Sequence, residues 1–166
     1  MRKLQSCLMV FLLFVFFANG QSSLDQKVAR AIATMECAAP TERDPLTLNA
    51  MVVSDGDSLA VIIKANMAPD WHIYQHVPPN APYVQLENIL SLPKGLSAVG
   101  KWRSSDPVPY VSDPTVLIHE GEAWFVQKIV GKKEQGSSIK AGLYYQICDH
   151  RQCLPPEEIT VEIKIE

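Results

Sequence analysis

An excess of positive charge is the first thing this 166-residue chain lacks: 15 Lys and Arg against 18 Asp and Glu give a formal charge of −3. An acidic balance offers no electrostatic footprint for a phosphate backbone, so nucleic acid is excluded as a partner. Long apolar runs are scarce as well. Only residues 8–17 form one, and it falls short of the roughly twenty residues that a membrane-spanning helix needs. Internal repeats and low-complexity tracts are absent, so the chain is not an array of units. A second cysteine pair is missing too. Cys148, His150 and Cys153 are therefore an incomplete set for a structural zinc site, and His72 and His76 with Met67 nearby are an incomplete set for copper. No metal and no cofactor is expected.

What is present begins with a leader. Arg2 and Lys3 precede the apolar run, and Ala18-Asn19-Gly20 follow it with small residues at the positions a signal peptidase reads. Residues 1–20 are expected to be a cleaved signal peptide, and Cys7 to leave with them. Losing those two cations takes the net charge from −3 to −5. The mature chain is expected to be periplasmic or secreted, off the membrane, in a setting where cysteines pair. Its length suits one domain with a real core.

Residues 21–45 read as an N-terminal extension. Leu24, Val28, Ala31, Ile32 and Met35 fall at helical spacing, and residues 38–45 form a proline-bearing linker. From residue 46 to 166 the pattern is strand-like. Residues 46–53 and 59–66 flank the turn Ser54-Asp55-Gly56-Asp57, which predicts a hairpin. Further strands are expected at 83–92, at 123–130, over the apolar run 143–147 and over the alternating run 159–165. Strand fragments and proline-shaped loops fill 99–121. Seven or so short strands with turns at about ten-residue intervals predict an all-β antiparallel sandwich.

The densest chemistry lies at Tyr145-Gln146-Ile147-Cys148-Asp149-His150-Arg151-Gln152-Cys153-Leu154-Pro155-Pro156. Three cysteines survive the leader, and the odd one is Cys37. A lone cysteine is most often a buried core thiol; forming a dimer or visiting the close pair are the other fates open to Cys37. Cys148 and Cys153 are spaced so that the chain can fold back and bring them to disulfide distance. A ring that small stabilises by roughly 2 kcal/mol through loop entropy, little for a domain of this size. His150 and Arg151 bring positive charge that favours thiolate, and Asp149 opposes it. By residues alone the bond is either a reagent for exchange or an inert staple in a binding module.

Tyr-x-x-Cys-x4-Cys-Leu-Pro-Pro with an alternating final strand resembles the N-terminal domains of the thiol:disulfide interchange protein DsbD. Trp71-His72-Ile73-Tyr74 is similar to the family's aromatic segment, and Leu92-Pro93-Lys94-Gly95 to its Leu-Pro-x-Gly turn. His72 stands where one member of that family carries tyrosine. The resemblance implies an immunoglobulin-like sandwich with a redox pair, Cys148 and Cys153, at one end. It implies that Cys153 forms the mixed disulfide, that His72 and Tyr74 lie beside the pair, and that Tyr110 caps it from a loop within residues 106–110. It further implies electrons drawn from a separate thioredoxin-like protein and passed to exported protein disulfides.

Overall fold

In the computed structural model residues 22–132 and 134–165 are described, so the expected signal peptide and Cys7 lie outside the described residues. The chain is an all-β, immunoglobulin-like antiparallel sandwich. Its first half runs α1 (Ser23–Thr34), β1 (Leu46–Asp55), β2 (Ser58–Met67), β3 (His72–His76), β4 (Glu87–Ser91) and β5 (Leu96–Ser104). The second half adds β6 (Val108–Tyr110), β7 (Asp113–Glu120), β8 (Glu122–Gly131), β9 (Ser138–Tyr145), β10 (Ile147–Cys148) and β11 (Glu157–Lys164).

The first hairpin follows from local chemistry. β1 and β2 pair without a slip from Leu46 opposite Met67 to Asp55 opposite Ser58. Gly56 makes the reversal at φ 60°, a region glycine enters without a Cβ penalty. β2 then pairs with β8, and β8 with β5, giving a sheet ordered β1-β2-β8-β5. The other two sheets are ordered β11-β9-β4 and β10-β3-β7-β6.

One core joins them. Val61, Ile63 and Phe125 from the first sheet pack with Ile139 and Leu143 of β9 and with Ile73 and Ile147. The outer face of the first sheet is closed by α1. Ser22 caps that helix, its hydroxyl accepting from the Asp25 amide at 3.2 Å. Leu24, Val28 and Ala31, one helical stripe, bury against Ala60, Ile62 and Val126. This is why residues 59–65 of β2 are an unbroken buried run: alternate side chains face the helix and the core.

Two strands differ from the sequence pattern. The run 143–147 is not one strand. β9 pairs with β11 as far as Tyr145 opposite Glu157, and beyond Gln146 the chain changes sheets to pair with β3. Gln146 makes the crossing possible by satisfying backbone on both sides, accepting from the Val84 amide at 3.1 Å and donating to the Leu154 carbonyl at 3.4 Å. The strand expected over 83–92 shortens to Glu87–Ser91. Its first residues are drawn towards β3, where the Leu86 amide donates to the Tyr74 carbonyl at 2.8 Å. No helix among the described residues is long and apolar enough to cross a membrane.

Candidate functional site

The site is built on the sheet that holds β10 and β3. Ahead of it, Ala68-Pro69-Asp70-Trp71 forms a tight turn, closed by the Trp71 amide on the Ala68 carbonyl at 3.1 Å. Proline at the first corner and Asp70 at φ 69° at the second suit a type II turn, which asks for a positive φ there. Trp71 is anchored in the core, and β3 leaves the turn with Ile73 facing inward. His72 and Tyr74, two residues apart, therefore share the opposite face.

The cysteine hairpin is closed by backbone and by one carboxylate. The Asp149 amide donates to the Gln152 carbonyl at 2.9 Å, and the Leu154 amide to the Ile147 carbonyl at 2.9 Å. Asp149 Oδ1 accepts from the amides of Arg151 and Gln152, both at 2.7 Å. Those donors, the Arg151 amide first, hold its carboxyl below the usual range, with help from the charges of His150 and Arg151. Asp149 is thus the residue that shapes the turn. Cys148 and Cys153 face each other across it and are joined by a disulfide.

The two sulfur-bearing residues differ sharply in access. Cys148 is 1 % exposed and sits in a small cluster with Tyr74, Val116 and Ile118. Cys153 is exposed. His150 and Arg151 lie at the exposed tip, where Arg151 Nε donates to His150 Nε2 at 3.0 Å. They line a groove with Glu42, Pro69 and Trp71.

Aromatic rings cover the buried side of the bond. Tyr74 is fully buried, and Tyr83 stacks on it with centroids 4.4 Å apart. Tyr110 stands edge-on to both, at 6.2 and 6.0 Å. It also lies tilted against His72 at 4.9 Å. Edge-on and offset stacking are the favoured ring geometries. Tyr110 ends β6, pairs with Asp113 and precedes Val111, which is 94 % exposed. Tyr110 packs against the cluster that holds Cys148. Burial pushes the Tyr74 hydroxyl up, and Tyr110 and Tyr83 add to it. His72 is buried, and its Nε2 shares a 3.1 Å hydrogen bond with the Tyr74 hydroxyl.

The structure therefore gathers Cys148, Cys153, His72, Tyr74 and Tyr110 at one end. It places His150 and Arg151 on the rim, engaged with each other. His76, four residues beyond buried His72, is exposed. Tyr83 and Gln146 belong to the site and were not singled out by sequence. A tyrosine directly after Pro78-Pro79-Asn80-Ala81-Pro82 is the one signal for Tyr83, because a proline-shaped loop that folds back brings its flanking side chain onto the sheet. Cys37 stands elsewhere, half-buried, its thiol donating to the Lys64 carbonyl at 3.3 Å.

Comparison with known proteins bears on both fold and family. Residues 42–165 match the family described as thiol:disulfide interchange protein DsbD, N-terminal. No curated protein matches by sequence. Among solved structures, the N-terminal periplasmic domain of ScsB from Proteus mirabilis superposes with a TM-score of 0.53 at 13% identity, covering 77% of this chain and 49% of that one. The chain thus spans about half the length of the ScsB structure. The Neisseria meningitidis DsbD N-terminal domain in its reduced form gives a TM-score of 0.47 at 18% identity, with 76% of this chain and 90% of that one covered. The same domain in complex with the PilB N-terminal domain gives 0.41 at 15% identity, covering 75% and 86%.

Proposed function

Because the chain belongs to the family of DsbD N-terminal domains, we propose that it is an exported thiol-disulfide exchange domain working through Cys148 and Cys153. Its electrons come from a thioredoxin-like protein and go to disulfides of other exported proteins. One observation carries this reading: an exposed cysteine is bonded to a buried one, so a partner thiolate has a single side from which to attack.

The chemistry is then ordered. A donor thiolate attacks Cys153 Sγ, a new disulfide forms there, and Cys148 leaves with the bonding electron pair. The donor's second thiolate attacks the donor sulfur of the mixed disulfide and frees Cys153. Two electrons have moved: the donor is oxidised and the pair reduced. In the second half the Cys153 thiolate attacks a substrate disulfide, and Cys148 resolves the product. Arg151 brings positive charge to the hairpin with His150 held against its guanidinium, and Tyr110 with Tyr74 shields the buried sulfur from stray oxidants.

Trapping tests the order of attack. Cys148→Ser leaves the exposed thiol without a resolving partner, and incubation with a thioredoxin-like protein that lacks its own resolving cysteine and carries a glutathione disulfide on the other should accumulate a covalent complex through Cys153, with glutathione thiolate leaving. Cys153→Ser should accumulate essentially none. Equal trapping by both variants would contradict the single side of attack, and trapping by neither would contradict the exchange reading.

A further inference from the structure

Exchange at this bond requires a proton to move where water has little access. When Cys148 leaves, it carries negative charge into a site that is 1 % exposed, and a buried charge is costly unless paired or neutralised. When the bond re-forms, that same thiol must first lose its proton, because thiolate is the nucleophile.

The sheet register places a base beside it. Cys148 on β10 lies directly opposite His72 on β3, and His72 lies directly opposite Glu120 on β7. Directly paired residues project to the same face with Cβ atoms about 4.5–5.5 Å apart. Thiol, imidazole and carboxylate therefore form one row across three strands. Cys148 and His72 are buried, whereas Glu120 is exposed and in reach of water. The imidazole is fixed from two sides, by the hydrogen bond to Tyr74 and by the ring of Tyr110.

We propose that His72 is the proton acceptor and donor for Cys148, with Glu120 stabilising the imidazolium from the open side of the row. This rests on the exchange reading above and assigns a step within it. In the resolving half, His72 takes the Cys148 proton as that sulfur bonds to Cys153 and expels the substrate thiolate. In the loading half, His72 passes a proton drawn from water on the Glu120 side to the departing Cys148, and in the resolving half it releases one there. One proton is thus taken up and one released per cycle, and the electrons follow the disulfides.

The surroundings of His72 suit both directions. Tyr74 faces it from its own strand, Tyr110 from β6, Glu120 from β7, and Cys148 with Asp149 from the hairpin. Burial lowers its pKa, and the negative charges of Glu120 and Asp149 partly offset this. Free of a proton at neutral pH, it can accept one, and once charged it yields it readily.

The test uses the reduced chain and oxidised glutathione as the probe. Acid quenching and mass measurement separate formation of the Cys153–glutathione disulfide from its resolution by Cys148. His72→Phe should slow resolution by about 10²-fold, the low end for a lost base, and leave the first attack within about twofold. His72→Gln, which can still bond Tyr74, should slow it similarly. Glu120→Gln, an exposed change, should leave the fold intact and move the inflection of the resolution–pH profile downwards. Wild-type resolution rates in both His72 variants, or an unmoved inflection in Glu120→Gln, would overturn the assignment while leaving exchange standing. A wild-type chain that never forms the glutathione adduct would remove the exchange reading and this assignment together.

Discussion

The two places that hold cysteine in the folded chain make an instructive pair. At one end, Cys153 is exposed on a tight hairpin and bonded to a sulfur buried under tyrosines. Below the end of α1, Cys37 is half-buried beside Lys64, which is itself paired with Glu122 at 3.1 Å and donates to the Met35 carbonyl at 2.9 Å. Burial pushes the Cys37 thiol up, so little thiolate forms at neutral pH despite the nearby ammonium. The difference teaches that position in the sheet, more than residue type, decides which cysteine a partner can reach. One region is arranged for access and the other for packing.

The strongest way to break the comparison is to exchange the roles of the cysteines. Cys153→Ser should lower the rate of disulfide exchange with a thioredoxin-like partner by at least about 10³-fold, since the exposed nucleophile is gone. Cys37→Ser should leave that rate unchanged. A loss of exchange in Cys37→Ser, measured by thiol trapping, would place Cys37 in the pathway.

The packing region should answer in stability instead. Ile62 is wholly buried between α1 and the first sheet, so Ile62→Ala should cost about 2–5 kcal/mol in denaturant unfolding. Its disulfide should keep the wild-type reduction potential. A shifted potential would show that the two regions are coupled.

A finer contrast lies within the site's own sheet. His119 on β7 is buried next to Phe125, with Nε2 2.9 Å from Gln75 Oε1, and burial lowers its pKa from 6.5 to about 4. The unfolded chain binds the extra proton between those values, so stability is full above about pH 6.5 and falls as the pH drops towards 4. At pH 5 the loss from this group is roughly 2 kcal/mol. His119→Gln should flatten that slope in thermal unfolding across pH 7 to 5, leaving the smaller contribution of His72, whose pKa is lowered in the same direction. An unchanged slope would remove His119 as its source.

Much of this was legible in the sequence because its causes are local. Alternation, the Asp55-Gly56 reversal and the spacing of Cys148 and Cys153 each specify structure within a few residues. The stacking of Tyr83 on Tyr74 was not legible, nor the change of sheet at Gln146, nor the row of Cys148, His72 and Glu120. Each depends on strands far apart in the chain being paired in a particular register, and a shift of one residue would turn every side chain to the other face. The unequal burial of the two bonded cysteines has the same origin: one belongs to a strand packed among tyrosines, and the other to the returning arm.

The central claim is that the Cys148–Cys153 bond is a reagent. Equilibrating the chain in graded glutathione buffers, trapping its thiols and counting them by mass gives the reduction potential of that bond. Exchange chemistry predicts a value of about −180 to −270 mV, the span of known exchange proteins. A value below about −300 mV would contradict it and mark the bond as a structural staple.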